Sequence, residues 1–200
     1  MKAKIQNPER VKLRRKQIYH GAMKVFRKKG FHAASVREIA EASRLSPGAL
    51  YNYIDKKEDI LYLVHEELLT NIDECLDKAL QRHQDPVQRL VQVIRDTFEF
   101  SLRLKEETLF MYTESKFLEK QYLHKVLEKE SRFVSRLEAL IREGISKGVF
   151  DCQEPGVFAN ILALLMALIP LRSWNLVPYY SEKEILEELV TLLLRGLKAV

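Results

Sequence analysis

The amino-acid sequence predicts an all-α protein, with an amino-terminal three-helix helix-turn-helix head (residues 1–54) joined to a larger helical body (55–200), about nine helices together. Three observations carry that expectation. Helix start and stop signals crowd residues 35–57; apolar residues recur at helical spacing from Ile18 to Leu197 without strand-like alternation; and basic residues concentrate at one end.

The first helix runs from about Asn7 or Pro8 to Lys29, with Ile18, Ala22, Val25 and Phe26 forming one buried stripe. Arg27, Lys28 and Lys29 crowd its last turn, where cations suit the helix dipole, and Gly30 stops it. Phe26 and Phe31 stand at C3 and C″ of that stop, the hydrophobic pair of a Schellman ending. Ser35 and Glu38 make an S-x-x-E capping box that opens a second helix, whose apolar face is Val36, Ile39 and Ala40 up to about Ser43. A turn near Arg44-Leu45-Ser46 follows, and Ser46 is an N-cap with Pro47 at the first helical position. Leu45 and Leu50 stand at N′ and N4, the spacing of a hydrophobic staple. Two short helices about a tight turn make a helix-turn-helix, a shape that reaches into the major groove of DNA. Asp55 with Glu58 repeats the cap pattern ahead of a fourth helix, which extends to about His83 and braces a head too small to be very stable alone.

The body continues as long amphipathic helices. Asp85 caps and Pro86 starts one through Leu90, Ile94, Phe98 and Leu102; a shorter one spans Glu106 to Ser115; another long one runs from Leu118 to about Ile145, with Gly144 and Gly148 marking its end. Glu154-Pro155-Gly156 starts a nearly all-apolar segment, Val157 to Leu171, broken by Pro170, and Ser181 with Glu184 boxes the last helix, Ile185 to Leu197. The stretch from Phe158 to Leu171 is about 14 residues long, below the ~20 that cross a bilayer, so no membrane span is expected. A helix apolar all round is buried on more than one side. With the last helix it suits a four-helix bundle formed with its own copy across a two-fold axis, a homodimer; a purely internal core is the other reading.

Charge divides the chain. Residues 1–60 carry 15 basic and 6 acidic side chains, and the remainder 18 basic and 22 acidic. A basic head on a mildly acidic body suits phosphate attraction and salt-dependent binding, with a solvated arm or a membrane-surface segment as the bland alternatives. Other chemistry finds little support. Cys75 and Cys152 lack C-x-x-C spacing and, with no signal peptide, read as reduced thiols of a cytoplasmic protein. The five histidines form no H-x-x-x-H pair, and no phosphate loop, dinucleotide fingerprint or G-x-S-x-G elbow occurs. Neither a metal, a cofactor nor an enzyme is therefore expected.

The run FRKKGFHAASVREIAEASRLSPGALYNYIDKKEDIL resembles the amino-terminal DNA-binding domain of TetR-family transcriptional regulators. The matching landmarks include Phe26, Gly30, Phe31, Ser35, Ile39, Ala40, Leu45, Ser46, Gly48, Leu50, Tyr51, Tyr53 and Lys57, and the resemblance covers about residues 12–65. It implies that Ser46, Pro47, Gly48 and Ala49 lead the recognition helix, and that Tyr51 and Tyr53 lie against sugar-phosphate. It also implies phosphate contacts from Lys57, Ser35 and Arg37, with Val36 beside them. Such groups position a protein on the duplex without specifying sequence. Asn52 is the one side chain of the recognition helix able to read a base edge bidentately, so preference leans on methyl contacts, on Arg37 or Arg44, or on DNA shape. Tyr51 also fits a core aromatic of the head, and both roles are open to it.

The resemblance further implies a ligand-binding and dimerising body. Its large side chains, Phe98, Leu102, Phe110, Met111, Tyr112, Phe117, Tyr122, Phe133 and Met166, are candidates to line an apolar pocket, with ordinary core packing as the alternative for any one of them. The run MYTESKFLEKQYLHKVLEKESRFVSRLEALIREGISKGVF is similar, more weakly, to regulators that respond to acyl-CoA or steroid-CoA thioesters. It implies Arg172, Arg132, Arg136 and Lys116 as anion partners and Trp174 as a stacking or lining group. A flat aromatic compound or a fatty acid fits the same residues. The expectation is a homodimeric repressor on a palindromic double-stranded operator, released by a small apolar or acyl-CoA-like effector. An activator, or a small-molecule-binding protein whose head contacts protein, stands as the rival.

Overall fold

Ten α-helices and one 3-10 turn make up the regular structure of residues 7–198, the part described by the computed structural model, and no strand occurs among those residues. In chain order they are α1 Pro8–Ala33, α2 Val36–Ala42, α3 Pro47–Leu50, α4 Lys57–Gln81, α5 Pro86–Arg103 and α6 Lys105–Glu114. The 3-10 turn Ser115–Phe117 then precedes α7 Lys120–Ser146, α8 Pro155–Met166, α9 Leu168–Leu176 and α10 Glu182–Gly196. The all-α expectation holds. The tenth helix comes from the apolar segment, which is two helices bent by 53°. The break lies at Ala167, not Pro170. Pro170 sits in the first turn of α9, where a missing N–H removes no helical hydrogen bond. No single helix among the described residues is long and apolar enough to cross a membrane.

The chain divides into two compact units. The first takes residues up to Leu69 together with Phe110–Val126, and the second takes Thr70–Leu109 and the chain from Leu127 onward. The head thus includes more than residues 1–54: the first half of α4 and a returning segment belong to its unit.

In the first unit Ile18, Ala22, Ile39 and Ala40 are fully buried, as the α1 and α2 stripes predict, and Leu50, Ile60 and Leu61 of the next two helices join them. The returning segment completes this core with rings. Phe110 stacks on Phe26 with centroids 5.0 Å apart, Phe117 on Phe31 at 6.4 Å, and Tyr122 on Tyr62 at 4.4 Å. Such pairs stabilise by about 0.5–1.5 kcal/mol each beyond the area they bury. His65 is buried in α4, its Nδ1 2.9 Å from the Leu61 carbonyl and its Nε2 3.4 Å from that of Met111. Burial pushes its pKa down, against the partial opposition of those two carbonyls.

The second unit buries Leu90, Val93 and Ile94 of α5, Leu137 and Ile141 of α7, Leu162 of α8 and Leu193 of α10. Its helix ends follow the sequence signals. Asp85 accepts from the Gln88 N–H at 2.8 Å, and Ser181 and Glu184 form a complete capping box. Gly148, at φ +69, ends α7: its N–H donates to Ile145 and that of Val149 to Gly144, the paired bonds of a Schellman motif. Gly144 has another task, because a Cβ there would lie 2.0 Å from the Phe150 ring that covers it.

Candidate nucleic-acid interface

The helix-turn-helix is assembled from short, strongly capped pieces. Gly30, at φ +74, kinks α1 near its end and brings Phe26 and Phe31 into edge contact at 5.8 Å. Ser35 then caps α2: its Oγ accepts from the Glu38 N–H at 3.2 Å, while the Glu38 carboxylate accepts from the Ser35 N–H at 3.0 Å and its hydroxyl at 2.7 Å. Lys29 also pairs with Glu38. The Lys29 bond, the Ser35 hydroxyl and the Ser35 N–H together hold the Glu38 pKa at about 2.

The turn between α2 and α3 is closed by backbone bonds from Ser43 to Ile39, Arg44 to Glu41 and Leu45 to Ala40, each 2.9 Å. Arg44 occupies the left-handed region at φ +53, a conformation costly to any side chain with a Cβ. Ser46 Oγ accepts from the Ala49 N–H at 3.2 Å and Pro47 opens α3, as expected. Leu50 anchors this four-residue helix in the core. Packing of α2 on α1 depends on Gly21, where a Cβ would lie 2.0 Å from Ser43 Oγ and 2.6 Å from its backbone nitrogen. The sequence reading missed that requirement, since a glycine within a helical stripe carries no sign of what crosses it.

This scaffold leaves Ser35, Arg37, Arg44, Ser46, Pro47, Gly48, Tyr51 and Asn52 exposed, with Val36, Ala49 and Lys57 half-buried. Tyr51 is 52% exposed, so it is a surface ring and not a core aromatic. Tyr53 differs from expectation. At 4% exposure it packs inside the head, because the turn after α3 places it, with Ile54, on the inner side. A Cβ at Gly48 would meet nothing within 4 Å, so the end of α3 is open to a partner's approach.

The start of α4 also departs from the expected Asp55–Glu58 cap. Asp59, 1% exposed, accepts from the N–H groups of Asp55 at 2.7 Å and Lys56 at 3.2 Å, and from the Tyr122 hydroxyl. Burial raises the Asp59 pKa, but these hydrogen bonds outweigh it and leave the group below its ordinary value. Lys57 points its ammonium at the carbonyls of Phe31 (3.1 Å), His32 (3.0 Å) and Ala34 (3.2 Å), with the Phe31 ring 4.6 Å away.

The candidate ligand residues do not form one group. Phe110, Met111, Tyr112, Phe117 and Tyr122 lie in the first unit, where Phe110, Phe117 and Tyr122 are packed against head aromatics. Phe98, Leu102, Phe133, Met166, Arg172 and Trp174 lie in the second. Of these, Phe98 and Met166 share the lining of a void of about 10 Å³ with Ile94, Leu162, Leu165 and Leu189. Trp174 is 71% exposed with the Arg172 guanidinium 5.2 Å above its ring, so neither lines an interior site. Arg136 is engaged by Asp73 and Asp77; Arg132 and Lys116 are exposed. Two larger spaces were not foreseen. An apolar groove of about 510 Å³ is lined by Leu165, Leu168, Leu176 and Leu189 with Glu184 and Glu188. A polar cleft of about 430 Å³ between α4 and α5 holds Cys75, Lys78, Arg82, Asp96 and Arg103. Finally, Val157, Ile161 and Leu164 form an exposed apolar stripe on α8, and Leu192 is exposed on α10.

Comparison with known proteins places this architecture. Residues 18–62 match the model of bacterial regulatory proteins of the tetR family, and residues 83–197 that of the tetracyclin repressor-like C-terminal domain. The HTH-type transcriptional regulator HbdR of Aromatoleum sp. (strain CIB) is 25% identical over 200 residues, spanning 96% of this chain and 84% of HbdR. A tetR-family regulatory protein from Rhodococcus RHA1 shares the fold with a TM-score of 0.81 at 21% identity, covering 94% of this chain and 98% of that one. AibR, solved with isovaleryl coenzyme A and operator DNA, does so with a TM-score of 0.74 at 21% identity, covering 90% and 97%. With family models matching both the helix-turn-helix and more than half of the chain beyond it, this protein belongs to the TetR family of transcriptional regulators.

Proposed function

We propose that the protein is a homodimeric, effector-responsive repressor whose α3 enters the major groove of a palindromic operator. The observation that carries this reading is the open end of α3, where Ser46, Pro47, Gly48, Tyr51 and Asn52 are exposed on a head rich in basic residues. Ser46, Pro47, Gly48 and Ala49 meet base edges, Asn52 supplies the bidentate amide, and Tyr51 and Arg37 hold the sugar-phosphate. Arg44 stands at the turn beside them. The dimer forms through the exposed α8 stripe and Leu192, so that two heads meet two half-sites.

The effector is an apolar or acyl-CoA-like molecule that occupies the interior of the second unit, where Phe98, Met166 and their neighbours lie. Phe98 and Met166 border a small apolar void there, and AibR, with its isovaleryl coenzyme A, supports the ligand class. Linkage fixes the sign: a ligand that binds the DNA-incompetent state more tightly lowers operator affinity, and one without preference changes nothing.

The test is anisotropy of a labelled duplex, selected from random sequence by the protein itself, titrated with and without isovaleryl-CoA and longer acyl-CoAs. Steep salt dependence and release by a thioester are expected. Tyr51→Ala weakens binding by roughly tenfold or more while the dimer persists. Salt-insensitive capture of the duplex, or full affinity in the variant, refutes the docking mode.

A further inference from the structure

Lys57 is the first residue of α4, and the family resemblance assigns it to a DNA phosphate. Its surroundings argue otherwise. An ammonium group has three protons, and Lys57 Nζ has three carbonyl oxygens at 3.0–3.2 Å, those of Phe31, His32 and Ala34. These oxygens belong to a place that needs a donor. α1 is interrupted at Gly30 and ends at Ala33, and Ala34 is extended: the Phe31 carbonyl also accepts the Ala34 N–H at 3.3 Å, while those of His32 and Ala34 lie past the last helical turn. The Phe31 ring closes a further side of the ammonium at 4.6 Å. Ser35, the next residue, is likewise occupied: its N–H and hydroxyl both donate to Glu38.

We infer that Lys57 is a positioning residue, a clamp that ties the start of α4 to the α1–α2 junction and so sets the capped start of α2, and that it is not a phosphate contact. The inference rests on the DNA-binding reading for its consequence, but the clamp itself is a property of the free head. A phosphate oxygen reaching Nζ would have to displace a carbonyl already bonded there, exchanging one charge-assisted bond for another while freeing a carbonyl.

Lys57→Met and Lys57→Arg, in the full-length protein, separate the roles. Arginine keeps the charge and favours phosphate, but its planar fork does not place three donors on three converging carbonyls. The first readout is hydrogen exchange of the Ala34, Ser35 and Glu38 amides without DNA. The clamp predicts at least tenfold faster exchange in both variants, and unchanged protection in Lys57→Arg overturns it. The second is affinity for a fluorescein-labelled mixed-sequence duplex as a function of salt. The clamp predicts weaker binding in both variants with the slope of log K against log[salt] unchanged. A lost phosphate contact makes the slope shallower by about 0.9 in Lys57→Met and restores it in Lys57→Arg. That pattern also overturns the inference. If the parent protein shows no salt-dependent duplex binding, the DNA-binding reading falls, and hydrogen exchange still decides the role of Lys57.

Discussion

Gly21 and Gly48 make a matched pair of perturbations. A methyl group at Gly21 would lie 2.0 Å from Ser43 Oγ, 2.6 Å from Ser43 N and 2.8 Å from its Cα, whereas one at Gly48 meets nothing within 4 Å. Carbon atoms settle at about 3.5–4.0 Å, so Gly21→Ala requires α2 to retreat by about 1 Å. Two of the three clashing atoms are backbone, and no rotamer change relieves them. Overpacking of this kind costs about 1–3 kcal/mol, and alanine in a helix interior returns about 0.8–1 kcal/mol. The net expectation for Gly21→Ala is a loss of about 1–2 kcal/mol, lowering Tm by roughly 2–8 °C in a chain of this size. Gly48→Ala is neutral or stabilising by up to ~1 kcal/mol, yet it weakens duplex binding, because the added methyl stands on the open end of α3. Ser43→Ala sharpens the test. The buried Ser43 hydroxyl has no hydrogen-bond partner, so its removal is neutral or favourable by about 1 kcal/mol. It does not rescue Gly21→Ala, since the nitrogen and Cα remain. Urea unfolding followed by circular dichroism reads the parent, the three single variants and the Gly21→Ala/Ser43→Ala double variant. A Gly21→Ala variant as stable as the parent, or one restored by Ser43→Ala, would refute a backbone-limited contact between α1 and α2.

Three further outcomes are expected. Arg44→Gly relieves a left-handed residue at φ +53 and raises stability by about 1 kcal/mol, seen as a higher urea midpoint, while a DNA-contacting Arg44 would make the same variant bind duplex less well. His65 has its folded-state pKa depressed by burial, so its stability contribution is fully present above the ordinary histidine value of 6.5 and is lost as pH falls below it. His65→Gln flattens that limb, measured by denaturant midpoints between neutral and mildly acid pH; an unchanged limb would show that other groups set it. Ile161→Glu places a charge in the exposed α8 stripe, with monomer expected by light scattering and duplex affinity down by about a hundredfold or more. A variant that stays dimeric would move the interface elsewhere.

Helix ends were the most legible part of this chain, because a cap is a local bargain between neighbours in sequence. Ser35 with Glu38, Ser46 with Pro47, Asp85 with Pro86 and Ser181 with Glu184 all sit where their side-chain chemistry puts them. What failed to show was whatever depends on a distant partner. The α8–α9 break falls at Ala167 with no residue to announce it, whereas Pro170, the obvious signal, fits a first turn without protest. Tyr53 and Tyr51 are the same residue type two places apart, and only the fold assigns one to the core and one to the surface. Asp59 replaced Glu58 as the cap of α4 because Tyr122, 63 residues away, is there to share it. The aromatic residues of α6 and the turn after it read as pocket lining by type, but Phe26 and Phe31 claim Phe110 and Phe117.

That last assignment bears on portability. A cut after residue 54 looks like a natural seam, and recombining DNA specificities by exchanging heads there would seem simple. Such an excised head would leave behind Phe110, Phe117 and Tyr122, the rings that complete its own interior. A working chimaera has to transplant two non-adjacent pieces of sequence, up to Leu69 and Phe110–Val126, as one inheritance. For the same reason, drift in the head's interior at Phe26, Phe31 or Tyr62 is tied to a stretch of chain more than forty residues downstream, so the two have to diverge in step.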